Sequence, residues 1–194
     1  MKPFYLFLSI LLMLSSCSKS DHAADEGTDE YQIANGYYYW STEQKIPLWS
    51  DDSYYLVQLK AGHKASDLDS PFKEKIVVAA EDRFILDKAN FNAFNQVHKQ
   101  LIEKAIPTYK MKDGYSLRPT GNIVIKLKAG VKLTQVLLIV DKQAVLENEN
   151  EFMDDVYELR VNDITQTLKV GNKIKESGLV EFSHPDFFAD IVLN

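Results

Sequence analysis

The chain has 194 residues, 45% of them hydrophobic, with 22 Lys and Arg against 28 Asp and Glu and a formal net charge of −6. That balance argues against a nucleic-acid partner, because phosphate binding needs a basic face and no long basic stripe is present. A single cysteine excludes a disulfide framework, and the length suffices for one domain, or two small ones, with a real core.

Met1 and Lys2 supply a positive start, and the apolar run over 4–14 is too short to span a bilayer as a mature helix. A cleaved leader over 1–16 is therefore expected. Leu14, Ser15, Ser16 and Cys17 resemble a bacterial lipobox, in which the cysteine thiol is diacylated, the peptide is cut before it, and the new amino terminus is acylated too. Cys17 is thus the expected lipid attachment site, and no second cysteine exists for a disulfide. The alternative is an ordinary secretory leader with a cysteine nearby. Several acyl chains hold a protein firmly at a membrane, each buried methylene adding about 0.8 kcal/mol.

Residues 17–34 read as an acidic tether carrying Asp21, Asp25, Glu26, Asp29 and Glu30, with almost nothing to bury. Such a stretch after a lipobox resembles the sorting signal that sends lipoproteins of Bacteroidetes-type bacteria to the outer face of the outer membrane. A plain solvated linker is the other reading. Loss of Lys2 with the leader moves the formal charge from −6 to −7, 21 basic against 28 acidic residues. No later apolar stretch is long enough to cross a membrane as a helix, so contact with the bilayer is expected through the lipid alone.

From residue 35 the sequence turns aromatic and β-like. Tyr37, Tyr38, Tyr39 and Trp40, a polar break over 41–44, then Lys45, Ile46, Pro47, Leu48 and Trp49 predict a hairpin, with Pro47 confining the second run to an edge. These rings pair across strands or, as the alternative, stack on sugars. Residues 53–60 predict another strand closed by Ala61 and Gly62. A similar string returns at 125–132: Val57-Gln-Leu-Lys-Ala-Gly-His-Lys64 against Ile125-Lys-Leu-Lys-Ala-Gly-Val-Lys132. Either a strand-and-turn unit is duplicated or two strands converged on one turn chemistry.

Arg83 to Leu86 predicts a strand. Phe91, Phe94, Val97, Leu101, Ile102 and Ala105 then mark one face of a helix from about Asn90 to Pro107, with His98 beside the stripe. Ile123, Ile125 and Leu127 alternate as in a strand, and Leu133, Val136, Leu137 and Val140 follow at helical spacing, although 137–140 also reads as a strand. A polar loop over 147–151 precedes a strand over 156–161. Asp163 with Gln166 has the form of a capping box opening a helix through Ile164, Leu168 and Ile174 to Ser177 and Gly178, and 179–183 predicts the last strand. The order strand, helix, strand, strand, helix, strand implies an α+β, ferredoxin-like split βαβ sandwich: an antiparallel sheet with helices on one face, preceded by the aromatic hairpin. The expected divisions are 35–120, an α+β region with the hairpin, and 121–194, the βαββαβ region with a C-terminal tail.

Tyr37 to Trp40 with Lys45 to Leu48, then the run over 121–128, then Ser177, Gly178, Leu179, Val180, Glu181, Phe182, Ser183, His184, Pro185, Asp186 and Phe187 together resemble the N-terminal propeptide region of Bacteroidetes subtilisin-like serine proteases. The likeness spans about 37–187 and holds no catalytic signature. The family's catalytic aspartate, histidine and serine segments have no counterpart here; the sequence given ends at Asn194, seven residues past Phe187, and no enzymatic activity is expected. His22, His63, His98 and His184 are isolated from one another, and His184, Pro185 and Asp186 read as a turn at a strand exit. The resemblance implies a propeptide-like module that binds or inhibits a subtilisin-like protease. In that mode Phe187, Phe188, Ala189, Asp190, Ile191, Val192, Leu193 and Asn194 form a tail that enters the active-site cleft. The same residues read equally as a cover for the sheet's end. No spacing points to a metal or organic cofactor.

Overall fold

The computed structural model describes residues 37–68 and 72–189, so the leader, Cys17 and the tether lie outside the described residues. The protein is α+β, with a mostly antiparallel sheet and three α-helices among the described residues. A two-stranded ladder comes first, β1 (Tyr38–Ser41) pairing antiparallel with β2 (Gln44–Pro47). Ser41 lies opposite Gln44, so the turn narrows to Thr42 and Glu43, with Thr42 at φ 55.

The eight-stranded sheet contains β3 (Trp49–Leu59), β4 (Val77–Ala80), β5 (Arg83–Asp87), β6 (Ile102–Lys110), β7 (Ser116–Leu127), β8 (Ala144–Glu149), β9 (Val156–Val161) and β10 (Val180–Ala189). Helix α1 (Lys88–His98) joins β5 to β6. Helix α2 (Leu133–Val140) joins β7 to β8, and α3 (Thr167–Glu176) joins β9 to β10. The order is β4-β5-β3-β6-β7-β9-β8, with β10 on the other side of β7.

One plan occurs twice. The first half runs in space β4-β5-β3-β6 and the second β8-β9-β7-β10, so each half places its second strand outermost, then its third, first and fourth. Registers agree as well. Leu59, Val57 and Tyr55 lie opposite Ile102, Ala105 and Pro107; Leu127, Ile125 and Ile123 lie opposite Val180, Ser183 and Pro185. In each half the register slips at the same step. The backbone bonds coincide: Lys60 N–H donates to Leu101 O (2.9 Å) and Lys128 N–H to Leu179 O (3.0 Å), Leu59 N–H to Asp82 O (2.8 Å) and Leu127 N–H to Asp155 O (2.9 Å). After the shared turn, Asp67 and Gln135 each reach back to the backbone N–H three residues earlier, at Lys64 and Lys132. The repeated string over 57–64 and 125–132 thus extends to Leu101-Ile102-Glu103 with Pro107 against Leu179-Val180-Glu181 with Pro185. The shared positions therefore reach beyond the turn into the pairing of the fourth strand of each half.

The period-2 alternation of each central strand sorts its side chains to two faces. In the first half Val57 and Leu59 pack with Phe84, Leu86 and Phe94 of α1, while Leu56, Ile85 and Ile106 face the other way. In the second half Ile123, Ile125, Leu127, Leu159 and Val161 bury against Val136 and Val140 of α2 and Val170 and Ile174 of α3. Ile164 and half-buried Phe188 from the second half cover Leu56, Ile85 and Ile106 of the first, so the halves share a core.

Several sequence expectations are corrected. The helix expected to reach Pro107 ends at His98 and a 3-10 turn over Lys99–Leu101, and Ile102, Ala105 and Pro107 belong to β6. Spacing of Ile102 and Ala105 fitted a helical stripe, but pairing with β3 satisfies that backbone as a strand, and Val97 from the same stripe is exposed. The polar loop expected at 147–151 is largely β8, an exposed strand whose charges are tolerated at a sheet edge. The capping box expected at Asp163 is not formed: Asp163 accepts from Thr165 N–H (3.2 Å) and caps a 3-10 turn, Ile164–Gln166, ahead of α3. The boundary placed between residues 120 and 121 falls inside β7.

Candidate functional site

The last strand runs on where a turn was expected at His184, Pro185 and Asp186. It continues to Ala189, slipping register between Pro185 and Phe187. Pro185 is tolerated because β10 pairs with β7 alone, and its ring fills the space over Gly171, where an added Cβ would sit 3.3 Å from Pro185 Cγ. Of the eight tail residues, Phe187 and Phe188 lie opposite Pro119 and Arg118, and Ala189 opposite Leu117. Phe187 packs with Leu48, Tyr109 and Leu168, its ring 5.5 Å from that of Tyr39. Phe188 packs on the first half's sheet, with the Arg83 guanidinium 5.8 Å from its ring centroid. Asp190, Ile191, Val192, Leu193 and Asn194 lie outside the described residues.

The ladder β1–β2 packs against α3 and β10. Tyr38 is buried, its hydroxyl donating to Glu176 Oε1 at 2.7 Å; Trp40 Nε1 donates to the same oxygen at 3.4 Å, and Lys45 Nζ lies 3.4 Å away. The Lys45 ammonium also sits over the Tyr38 ring, 4.4 Å from its centroid. Burial and the Glu176 hydrogen bond push the Tyr38 hydroxyl up to about 12. Burial alone would raise Glu176, yet the Tyr38 hydroxyl and Lys45 outweigh it and hold that carboxyl below its ordinary range. Glu176 was not singled out from sequence, and no local signal could have found it: its partner Tyr38 is 138 residues away.

Tyr38 also lines an open cleft of about 610 Å³ with Tyr37, Tyr109, Gln166, Lys169 and Asn172. Asn172 donates from Nδ2 to Tyr38 O at 2.9 Å, while its buried Oδ1 meets no donor among the described residues. Burial, with a smaller effect of Tyr37, pushes Tyr109 up to about 12. Because Tyr38 is buried and Tyr39 is packed edge-on against His184 and Phe187, the aromatic run does not present one flat platform.

His98 is buried in the first half's core, its ring 4.8 Å from Phe94 and 5.5 Å from Phe72, and His63 is exposed on the turn after β3. His184 is half-buried against Tyr39 and Phe182, and burial lowers its pKa. Among the described residues no group of three or more His, Cys, Asp or Glu could hold a metal ion, and no helix is long and apolar enough to cross a membrane. No protein-family profile, curated protein or solved structure matches the chain.

Proposed function

We propose that the protein is a non-catalytic, membrane-anchored, propeptide-like module that binds or inhibits a subtilisin-like serine protease. On this reading it is a lipoprotein held through Cys17 at the outer membrane and facing the exterior, and an aromatic hairpin precedes a ferredoxin-like split βαβ sandwich. The observation that carries the reading is the strand order β10-β7-β9-β8 with α2 and α3 packed on one face of that sheet. That order, with helices and strands alternating along the chain, supports reading this half as a split βαβ unit. The position of the last strand adds support, since β10 lies on one side of β7 and carries the chain past Phe188 toward 190–194.

The experiment is to incubate the protein with a panel of subtilisin-like proteases and follow hydrolysis of a chromogenic peptide. Slowed turnover by at least one enzyme is expected, and deleting 190–194 should weaken it while leaving thermal unfolding unchanged. Unaltered rates across the whole panel overturn the proposal.

A further inference from the structure

The repeat supplies its own internal control for the two outer edges of the sheet. Strands β4 and β8 occupy the same place in their halves, each outermost and, among the described residues, paired on one side only. Pairing with equivalent residues aligns them position by position: Val77 and Val78 lie opposite Ile85 and Phe84, as Asn148 and Glu149 lie opposite Glu158 and Tyr157. Edge strands expose unpaired N–H and C=O groups, and charge is the usual device that keeps other chains off them. Edge β8 carries Glu147, Asn148 and Glu149. Edge β4 is Val77-Val78-Ala79-Ala80, uncharged throughout, with its two valines 63% and 61% exposed.

A groove of about 650 Å³ adjoins that bare edge, its floor formed by Ala65, Ile76, Val78 and Ala80 and its rim by Lys64, Lys73 and Glu81. Lys64 is paired with Glu81 at 3.0 Å, whereas the Lys73 ammonium reaches the Ser66 carbonyl at 3.3 Å. The rim therefore offers a cation to an incoming carboxylate.

We propose that β4 and this groove form a strand-addition site for an extended peptide segment of a partner protein, with apolar residues at alternate positions and an acidic residue at one flank. Main-chain bonds to the β4 edge hold the segment, the groove takes every second side chain, and Lys73 fixes direction by meeting the acid. Edge-to-edge pairing of two copies is disfavoured on size: two four-residue strands bury far less than the roughly 1,200 Å² of a stable interface. The site lies on the first half of the repeat and does not depend on the protease reading.

The test titrates the isotopically labelled protein with the acetylated heptapeptide Asp-Thr-Val-Thr-Leu-Thr-Val amide, followed by amide shifts. Expected are shifts centred on Val77, Val78, Ala79 and Ala80, and affinity at least about tenfold weaker for Val78→Lys, which places a charge on the exposed edge. The same charge placed at the position equivalent to Val78 on the opposite edge, Glu149→Lys, should leave affinity unchanged. A probe N-methylated on alternate amides, which keeps its side chains and loses its donors, should not bind. Overturning results are an absence of shifts at millimolar peptide, equal binding of the methylated probe, or self-association of the free protein that Val78→Lys abolishes.

Discussion

Phe188→Ala distinguishes a side chain committed to the fold from one held ready for a partner. Phe188 packs on Leu56, Ile85, Ile106 and Ile164, and the Arg83 guanidinium lies 5.8 Å from its ring. Truncating a fully buried phenylalanine costs about 3–5 kcal/mol. Half-burial brings that to about 2 kcal/mol, and loss of the cation–π contact adds about 0.5 kcal/mol. For a chain of this size the melting midpoint should fall by about 5–10 °C. Differential scanning calorimetry or urea unfolding measures it directly. The matched control is Phe152→Ala, because Phe152 is 92% exposed and its removal should stay within about 0.5 kcal/mol. If Phe188→Ala unfolds no earlier than the control, Phe188 does not join the two halves and the packing argument fails.

Two further predictions concern local chemistry. Gly62 and Gly130 hold φ 88 and φ 78 at equivalent turns, with nothing within 4 Å of an added Cβ, so alanine at either should cost the same, about 1 kcal/mol of backbone strain, in chemical denaturation; clearly unequal losses count against the equivalence of the turns. Asp51 is buried, accepts from Ser53 N–H (3.0 Å) and Ser116 Oγ (2.9 Å), and pairs with Lys110 at 3.0 Å. Burial alone would raise its pKa, but these partners hold it below the ordinary carboxylate value. Its stabilisation is therefore complete above the unfolded pKa of about 4 and is lost as pH falls through the lower folded value. Asp51→Asn should lower the melting temperature at pH 7 and flatten its fall in acid; parallel curves for the two proteins would show that Asp51 is not the titrating group.

What the sequence made legible follows the strength of its periodicity. Ile123, Ile125 and Leu127 alternate cleanly because β7 buries one face, and Leu133, Val136 and Val140 kept helical spacing because α2 lies on that same core. The short edges left no such mark: four uncharged residues in β4 and the acidic run of β8 form strands only because β5 and β9 pair with them. Ile102 and Ala105 misled for the opposite reason, their spacing fitting a helix while the partner strand β3 lay more than forty residues earlier. The shared turn string was visible, yet the match of Leu101, Ile102, Glu103 and Pro107 with Leu179, Val180, Glu181 and Pro185 needed the strand registers to align it. The same distance hid Glu176, which the fold brings to Tyr38.

Strand β7 is a backbone element on which both halves draw. Its start pairs with β6, its middle and end with β9, and β10 follows it along its other side. Two halves of like plan could stand as two beads that melt separately, but a backbone ladder common to both leaves neither a private boundary at which to come apart. The two halves of this plan are thus tied through one ladder and one shared interior, so a change at the rim of either is felt through strands that belong to both.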